Sequence, residues 1–175
     1  MVNRRVPTVG RLVVDLVAFN LLREASLYYI HRGFHHPAVY QYVHKVHHQW
    51  QTPVALTAIY CHPVEHLGQN LLPVLLGPAV MGSHNLVAYL WIGYVIFESV
   101  YLHCGYQLPG CPISPVFHDF HHLKFNVNYG VFGLFDWLHG TDKAFRESPF
   151  YRLQKAPYFS FTPPAELLYD AEKMK

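Results

Sequence analysis

Charge is what this sequence has least of. Asp, Glu, Lys and Arg make up 14% of its 175 residues, where about a quarter is ordinary for a soluble domain. From Val46 to Leu123 there is no lysine or arginine, and the acidic residues are Glu65, Glu98 and Asp119 alone. A water-facing surface can hardly be built from such a stretch. The basic residues elsewhere are scattered and the net charge is +2, so no electrostatic footprint for nucleic acid exists. Cysteine is scarce too: Cys61, Cys104 and Cys111 show no CxxC spacing, which argues against a disulfide framework or a thiolate metal site and for buried thiols. Familiar catalytic signatures are missing as well. Without HExxH a zinc protease lacks its general base, and neither the G-x-S-x-G elbow nor the phosphate-cradling G-x-x-x-x-G-K occurs. The Glu-x-x-His pairs of soluble di-iron bundles are not found either. No polar linker divides the chain and no cleavable signal peptide follows Met1, so residues 1–175 read as a single domain.

What is abundant is apolar surface, at 51% hydrophobic and 16% aromatic residues. LGQNLLPVLLGPAVMG (67–82) and NLVAYLWIGYVIFESVYL (85–102) are mostly apolar, the second near the roughly 20 residues a bilayer-spanning helix needs. GPAVMGSH between them suits a short non-cytoplasmic loop. They predict a helical hairpin that enters and leaves the membrane from one face. LVVDLVAFNLLREASLYYI (12–30) is a third candidate span, burdened by Asp15, Arg23 and Glu24. It reads as interfacial, or as packed inside the protein with Glu24 as a buried polar group. Arg4 and Arg5 at its far end run against the positive-inside tendency. The expected fold is all-α: an integral membrane protein with a transmembrane hairpin and a histidine-rich helical cap on the cytoplasmic face.

Histidine supplies the chemistry. Of the 14 histidines, His31 and His35 stand at i, i+4, while His44, His47 and His48, and again His118, His121 and His122, stand at i, i+3, i+4. A lone histidine on an apolar face is ordinarily a core residue, but three clusters obeying one spacing rule ask for a metal, since imidazoles at i and i+4 can share an ion. Their eight rings exceed what one tetrahedral zinc accepts, so two ions are expected. His62 and His103 lie where the hairpin meets the same face and bring the ligand set to ten, five per ion, leaving an octahedral ion one open position for a small molecule such as dioxygen. His66 is a further ligand or a hydrogen-bonding neighbour, and His36, His84 and His139 read as structural.

The boxes HRGFHH, HKVHH and HDFHH around an apolar hairpin resemble the fatty acid hydroxylase superfamily of membrane-bound, histidine-rich di-iron oxygenases. The resemblance covers residues 24–142. Within it HKVHHQWQTPVALTAIYCHPVEH, LHCGYQLP and FHDFHHLKFNVNYGVFGLFDWLHGTD are most similar to the C-4 methylsterol oxidase branch. Three residues between the first two ligands favour that branch over the sphingolipid 2-hydroxylases, whose first box is one residue longer. The resemblance implies an endoplasmic-reticulum enzyme in which His31, His35, His44, His47, His48, His62, His103, His118, His121 and His122 hold two iron ions. It further implies O2 as co-substrate, a lipid C–H bond as target, and NAD(P)H-derived electrons delivered in trans by cytochrome b5 or a reductase. Family members carry another hydrophobic hairpin before the first box, whereas one candidate span precedes His31 here, so the chain reads as a truncated form. His66 also departs from the branch, which has HP-x-E without that second histidine.

Other polar residues take supporting roles in this reading. Glu65, Asp119 and Asn128 are candidates to accept the second ring N–H of ligand histidines. Trp91, Tyr94, Phe97 and Tyr101 recur at helical spacing and line either a sterol-shaped slot or ordinary packing, and Glu98 beside them requires a partner or a function at membrane depth. Lys143, Arg146, Arg152 and Lys155 form a basic cluster suited to anionic lipid or an acidic electron donor. Alternatives are a sterol desaturase, a fatty acid or sphingolipid hydroxylase, a metal transporter or store, and a regulatory relative without turnover.

Overall fold

The structure, a computed structural model, describes residues 6–50, 53–108, 111 and 113–155, and no strand occurs among them. The helices are α1 (Val9–Phe34), α2 (Pro37–Tyr40), α3 (Pro63–Glu65), α4 (Leu72–Met81), α5 (Asn85–Leu102), α6 (Pro115–Lys124), α7 (Leu134–His139), α8 (Lys143–Arg146) and α9 (Pro149–Lys155). Two 3₁₀ turns, His44–Gln49 and Ala55–Ile59, and one π turn, His66–Leu71, complete the regular structure. Arg4 and Arg5 lie outside the described residues, as does the side chain of Lys155.

Three helices form an apolar layer. The chain leaves α4 through Gly82, whose left-handed φ of 56° suits glycine, and re-enters α5 behind His84, whose ring caps the Leu86 N–H. Helix α1 lies against this hairpin. It crosses α4 so closely that a Cβ on Gly77 would stand 2.8 Å from the Phe19 Cα, which only glycine permits. Phe19, Val87, Trp91 and Val95 make the buried core of the layer. Pro78 has no N–H to give the Val74 carbonyl one turn earlier. The indole N–H of Trp91 donates to that oxygen instead, at 3.0 Å, so a side chain of α5 repairs the ladder of α4.

The charges that made 12–30 a poor span are internal. Asp15, Arg23 and Glu24 are all buried. Arg11 bonds Asp15 and the Met81 carbonyl, pinning the start of α1 to the hairpin turn. Arg23 pairs with Glu98 of α5, and the Tyr94 hydroxyl donates to the same carboxylate at 3.0 Å. Glu24 accepts the N–H groups of Val131, Phe132 and Leu134 at 2.9, 3.1 and 3.1 Å. The layer is thus tied to the cap by a buried carboxylate, as the second reading of that segment required.

Outward, Val13, Val17 and Leu21 of α1, Leu72 of α4, and Leu90 and Phe97 of α5 are at least half exposed, an apolar exterior unlike that of a soluble monomer. Among the described residues, α5 is the one helix long and apolar enough to cross a membrane. The first limb of the expected hairpin is shorter than predicted, because the π turn His66–Leu71 occupies its start and α4 proper spans Leu72–Met81. Beyond the layer, α6, α8 and α9 pack around a second core of Val116, Phe117, Phe120 and Phe145.

Candidate metal centre

Two groups of histidines converge inside the cap. His31, His35, His44, His48 and His121 form one, and His47, His103, His118 and His122 the other, with the ligand atoms of each group all within 4.8 Å of one another. The groups are adjacent, since the rings of His48 and His122 have centroids 4.6 Å apart. The spacing rule explains the division. Each i, i+4 pair, His31 with His35, His44 with His48 and His118 with His122, stays in one group, while the i+3 ring of each triplet, His47 or His121, crosses to the other. Each triplet therefore fastens both groups together. On α6 this follows from the helix itself, because i+4 lies about 40° from i and i+3 about 60° to the opposite side.

The ring nitrogens have assigned tasks. The Nδ1–H groups of His31, His47, His103, His121 and His122 donate to the carbonyls of Tyr129 (2.7 Å), Tyr60 (3.2 Å), Ser99 (2.8 Å), Val127 (2.6 Å) and Trp50 (3.1 Å). His44 Nδ1 lies 2.8 Å from Glu65 Oε1. A carbonyl only accepts, so the proton of each carbonyl-bound ring sits on Nδ1 and its Nε2 presents a lone pair. His47 and His103 are both fixed in this way, yet their Nε2 atoms face each other at 3.4 Å. Two lone pairs in that arrangement repel unless a cation lies between them. The neighbouring Nε2···Nε2 distances are 3.0, 3.1, 3.1 and 3.2 Å in the first group and 3.0 and 3.1 Å in the second. With metal–nitrogen bonds of about 2.1 Å, adjacent corners of an octahedron are about 3.0 Å apart and those of a tetrahedron about 3.4 Å. The donor set fits two metal ions, the first group close to octahedral spacing with a corner to spare.

Electrostatics favour the same state. Burial pushes the pKa of His47 down to about 4, of His103 to about 3 and of His122 to about 2, neighbouring rings adding to the effect for the last two. His118 and His121 are lowered for the same reasons. The rings are neutral at pH 7 and need lose no proton to bind a cation. Burial also raises Glu65 to about 8. A cation on His44 Nε2 opposes that, holding the proton on Nδ1 and the carboxylate ionised.

Comparison with known proteins gives the same direction. A family model, fatty acid hydroxylase, matches residues 16–141. The chain belongs to the fatty acid hydroxylase family. It is 44% identical over 171 residues to human fatty acid hydroxylase domain-containing protein 2, covering 98% of this chain and 51% of that protein. It is 36% identical over 140 residues to fatty acid hydroxylase ahd1 of Mycosarcoma maydis, covering 80% and 36%. With methylsterol monooxygenase 1 of Danio rerio it shares 35% identity over 130 residues, covering 69% and 44%. The chain thus spans about half the length of curated relatives it matches, or less. No solved structure matches.

In this member of the hydroxylase family, the ten expected ligands do not all meet. Nine of them form the two groups, and His62 does not. Its ring Nδ1 accepts the Val64 N–H at 3.2 Å and caps α3, as His36 caps α2 through Ala38 at 3.3 Å. The signal was in the sequence: His62 and His36 each precede a proline that opens a helix. Rings converge as five and four where five and five were expected. His66 stands apart, its Nδ1 3.4 Å from Asn70 Nδ2. Of the residues expected to accept ring N–H groups, Glu65 comes near one, its Oε1 2.8 Å from His44 Nδ1. Asn128 instead donates to the Phe117 carbonyl at 2.9 Å, and Asp119 Oδ1 is buried without a partner. Backbone carbonyls take the role that side chains were expected to play. Sequence patterns missed them because any residue supplies a carbonyl.

Nor do the aromatic residues of α5 share a slot. Trp91 and Tyr94 line a groove of about 380 Å³ with Leu12, Leu16 and Asn20 of α1, Phe97 faces outward at 64% exposure, and the Tyr101 hydroxyl accepts the Leu108 N–H at 3.1 Å. The cavities nearest the histidines lie elsewhere. An inner chamber of about 70 Å³ touches His31, His47, His103 and His118, and it shares Arg23, Leu27, Ala58, Gln69, Asn70 and Ser99 with an outer cavity of about 140 Å³. In the basic cluster, Lys143 and Arg146 already pair with Glu147 (4.0 Å) and Asp142 (3.0 Å), while Arg152 is exposed.

Proposed function

We propose that this chain is the core, in a single domain with its family-like part at 24–142, of a membrane-bound non-heme di-iron oxygenase. It oxidises a C–H bond of a lipid, a C-4 methylsterol foremost, at the endoplasmic-reticulum membrane with the histidines facing the cytoplasm. The observation that carries the reading is the pair of adjacent groups of neutral, carbonyl-oriented imidazoles whose Nε2 lone pairs converge beside an apolar layer. Methylsterol monooxygenase 1 among its relatives supports the substrate class.

His31, His35, His44, His48 and His121 would hold one iron, and His47, His103, His118 and His122 the other. When bound, the pair supplies redox equivalents and open coordination positions for reducing dioxygen and oxidising a C–H bond. The chain's own residues do the rest. Carbonyls of residues 50, 60, 99, 127 and 129 hold the rings at fixed tautomer and angle. Among the described residues Glu65 is the carboxylate paired with a ring of the two groups, and it is not one of the converging donors, so the donor set would stay neutral and the charge of the ions largely uncompensated. The narrow inner chamber excludes bulk water and admits substrate from the apolar side. Electrons arrive from NAD(P)H through a separate donor such as cytochrome b5 or a reductase.

The test is anaerobic purification with metal quantitation, followed by dioxygen and reductant in the presence of 4-methyl sterols. Two iron ions per chain and an oxidised sterol are expected, and His47→Ala and His121→Ala, one from each group, should each lose iron and product. Metal retained without dioxygen consumption would overturn the oxygenase reading in favour of a metal store.

A further inference from the structure

Between the outer cavity and the histidines lies a buried polar step that the metal chemistry does not use. Arg23 and Gln69 line both the outer cavity and the inner chamber. Arg23 is 3% exposed and Gln69 8% exposed. Arg23 gives one nitrogen to Glu98, and its Nε and Nη1 are buried with no hydrogen-bond partner; the same is true of Gln69 Oε1. Two donor nitrogens and an acceptor left open in a dry interior are costly, so an occupant that pairs with them is favoured. The outer cavity around them is mostly apolar, lined by Leu27, Val95 and Ile96 among others, with His66, Asn70 and Ser99 as its further polar residues; Asn70 already faces His66 at 3.4 Å. The fitting occupant is an apolar molecule carrying one group that both accepts and donates. A hydroxyl does both: its oxygen accepts from the guanidinium and its proton goes to Gln69 Oε1.

We infer that Arg23 and Gln69 form a specificity subsite that reads a hydroxyl on the lipid and so sets which carbon reaches the histidines. This rests on the oxygenase reading and deepens it. The carbon to be oxidised must then be a near neighbour of a hydroxyl-bearing carbon, because the subsite and His31, His47, His103 and His118 line one chamber of about 70 Å³. The discrimination arises because a substrate lacking the group leaves buried polar atoms unpaired.

The experiment measures anaerobic equilibrium binding of two radiolabelled probes to the iron-loaded full chain in lipid nanodiscs: a 4,4-dimethyl sterol with a 3-hydroxyl and its 3-deoxy analogue. The unmodified chain should bind the hydroxyl form about tenfold more tightly, the worth of one well-made hydrogen bond. Gln69→Met keeps the length of the side chain and should erase that preference while leaving the affinity for the deoxy sterol unchanged. Arg23→Lys keeps the charge opposite Glu98 but removes two donors, and should erase it too; it serves if the first variant loses its iron. Equal affinities in the unmodified chain, or a preference that both variants retain, overturns the subsite. If the deoxy sterol is then oxidised on adding dioxygen and reductant, the oxygenase reading survives that failure; if neither sterol binds or turns over, both fall.

Discussion

Acid should unfold the metal-free protein well before it unfolds the metal-loaded one. An unfolded chain takes up protons on histidine near pH 6.5, but burial holds His47 to about 4, His103 to about 3 and His122 to about 2 in the folded chain. Between those values and 6.5 the unfolded state carries more protons, so stability falls as pH falls; above 6.5 neither state is protonated and the effect vanishes. At pH 5 each of these rings costs about 2 kcal/mol of stability, and the three together about 6 kcal/mol. That is comparable to the whole stability of an ordinary domain. Metal at 100 times its dissociation constant returns about 2.7 kcal/mol. The assay is helical circular dichroism in detergent against denaturant, from pH 8 to pH 4, with and without metal. Burial raises Glu65 to about 8 and Asp119 to about 7, and these carboxyls act in the opposite sense, adding stability as pH falls from those values. The assay therefore uses a Glu65→Gln, Asp119→Asn background, in which the denaturation midpoint of the metal-free chain should be level down to about pH 6.5 and then drop steeply. A midpoint still level at pH 4.5 would refute the argument, since it would mean that these rings accept protons freely in the fold.

Three substitutions probe the supports of the centre. Glu65→Gln removes the charge facing His44 Nδ1 at 2.8 Å and should weaken metal binding about 10- to 100-fold, read by competition against a chromophoric chelator, with the helical content unchanged. Gly130→Ala would set a Cβ 2.6 Å from Glu24 Oε1 and 2.9 Å from Asp136 Oδ2. The loop that supplies the Tyr129 carbonyl to His31 must then shift, with a loss of about 1–3 kcal/mol and lower metal retention; wild-type values for both would show the loop to be compliant. Trp91→Phe leaves the Val74 carbonyl without its donor and should cost about 1–3 kcal/mol, seen as a lower denaturation midpoint at unchanged metal affinity.

The sequence carried the site further than the fold. Histidine spacing was legible because i, i+4 pairs must share a face of any α-helix, and three such pairs remain together in the folded chain. What spacing alone cannot say is where the i+3 ring goes. His44–Gln49 is a 3₁₀ turn rather than an α-helix, and in both triplets the odd ring crosses to the neighbouring group. The limits of α5 could be read from its apolar run and from the Asn85 start behind His84. The π turn before α4 could not, since nothing in HLGQNL marks a widened turn except the proline at position 73 that follows.

The charged residues of α1 teach a different lesson. Composition treated Asp15, Arg23 and Glu24 as three equal penalties, yet each has its own partner: Arg11 one turn earlier on α1, Glu98 of α5, and the N–H groups of residues 131, 132 and 134. Glu98 and Glu24 lie 74 residues apart in sequence, and only the packing of α1 on α5 and on the 131–134 loop gives each an occupation. That packing is also what sets the geometry of the centre. Glu24 fixes the loop next to Tyr129, whose carbonyl orients His31, and the Arg23–Glu98 pair joins the helix that carries His31 and His35 to the one that ends at His103. The same charges that weaken 12–30 as a simple span therefore hold the two histidine groups in register, which is a reason for a buried ion pair that stability alone does not provide.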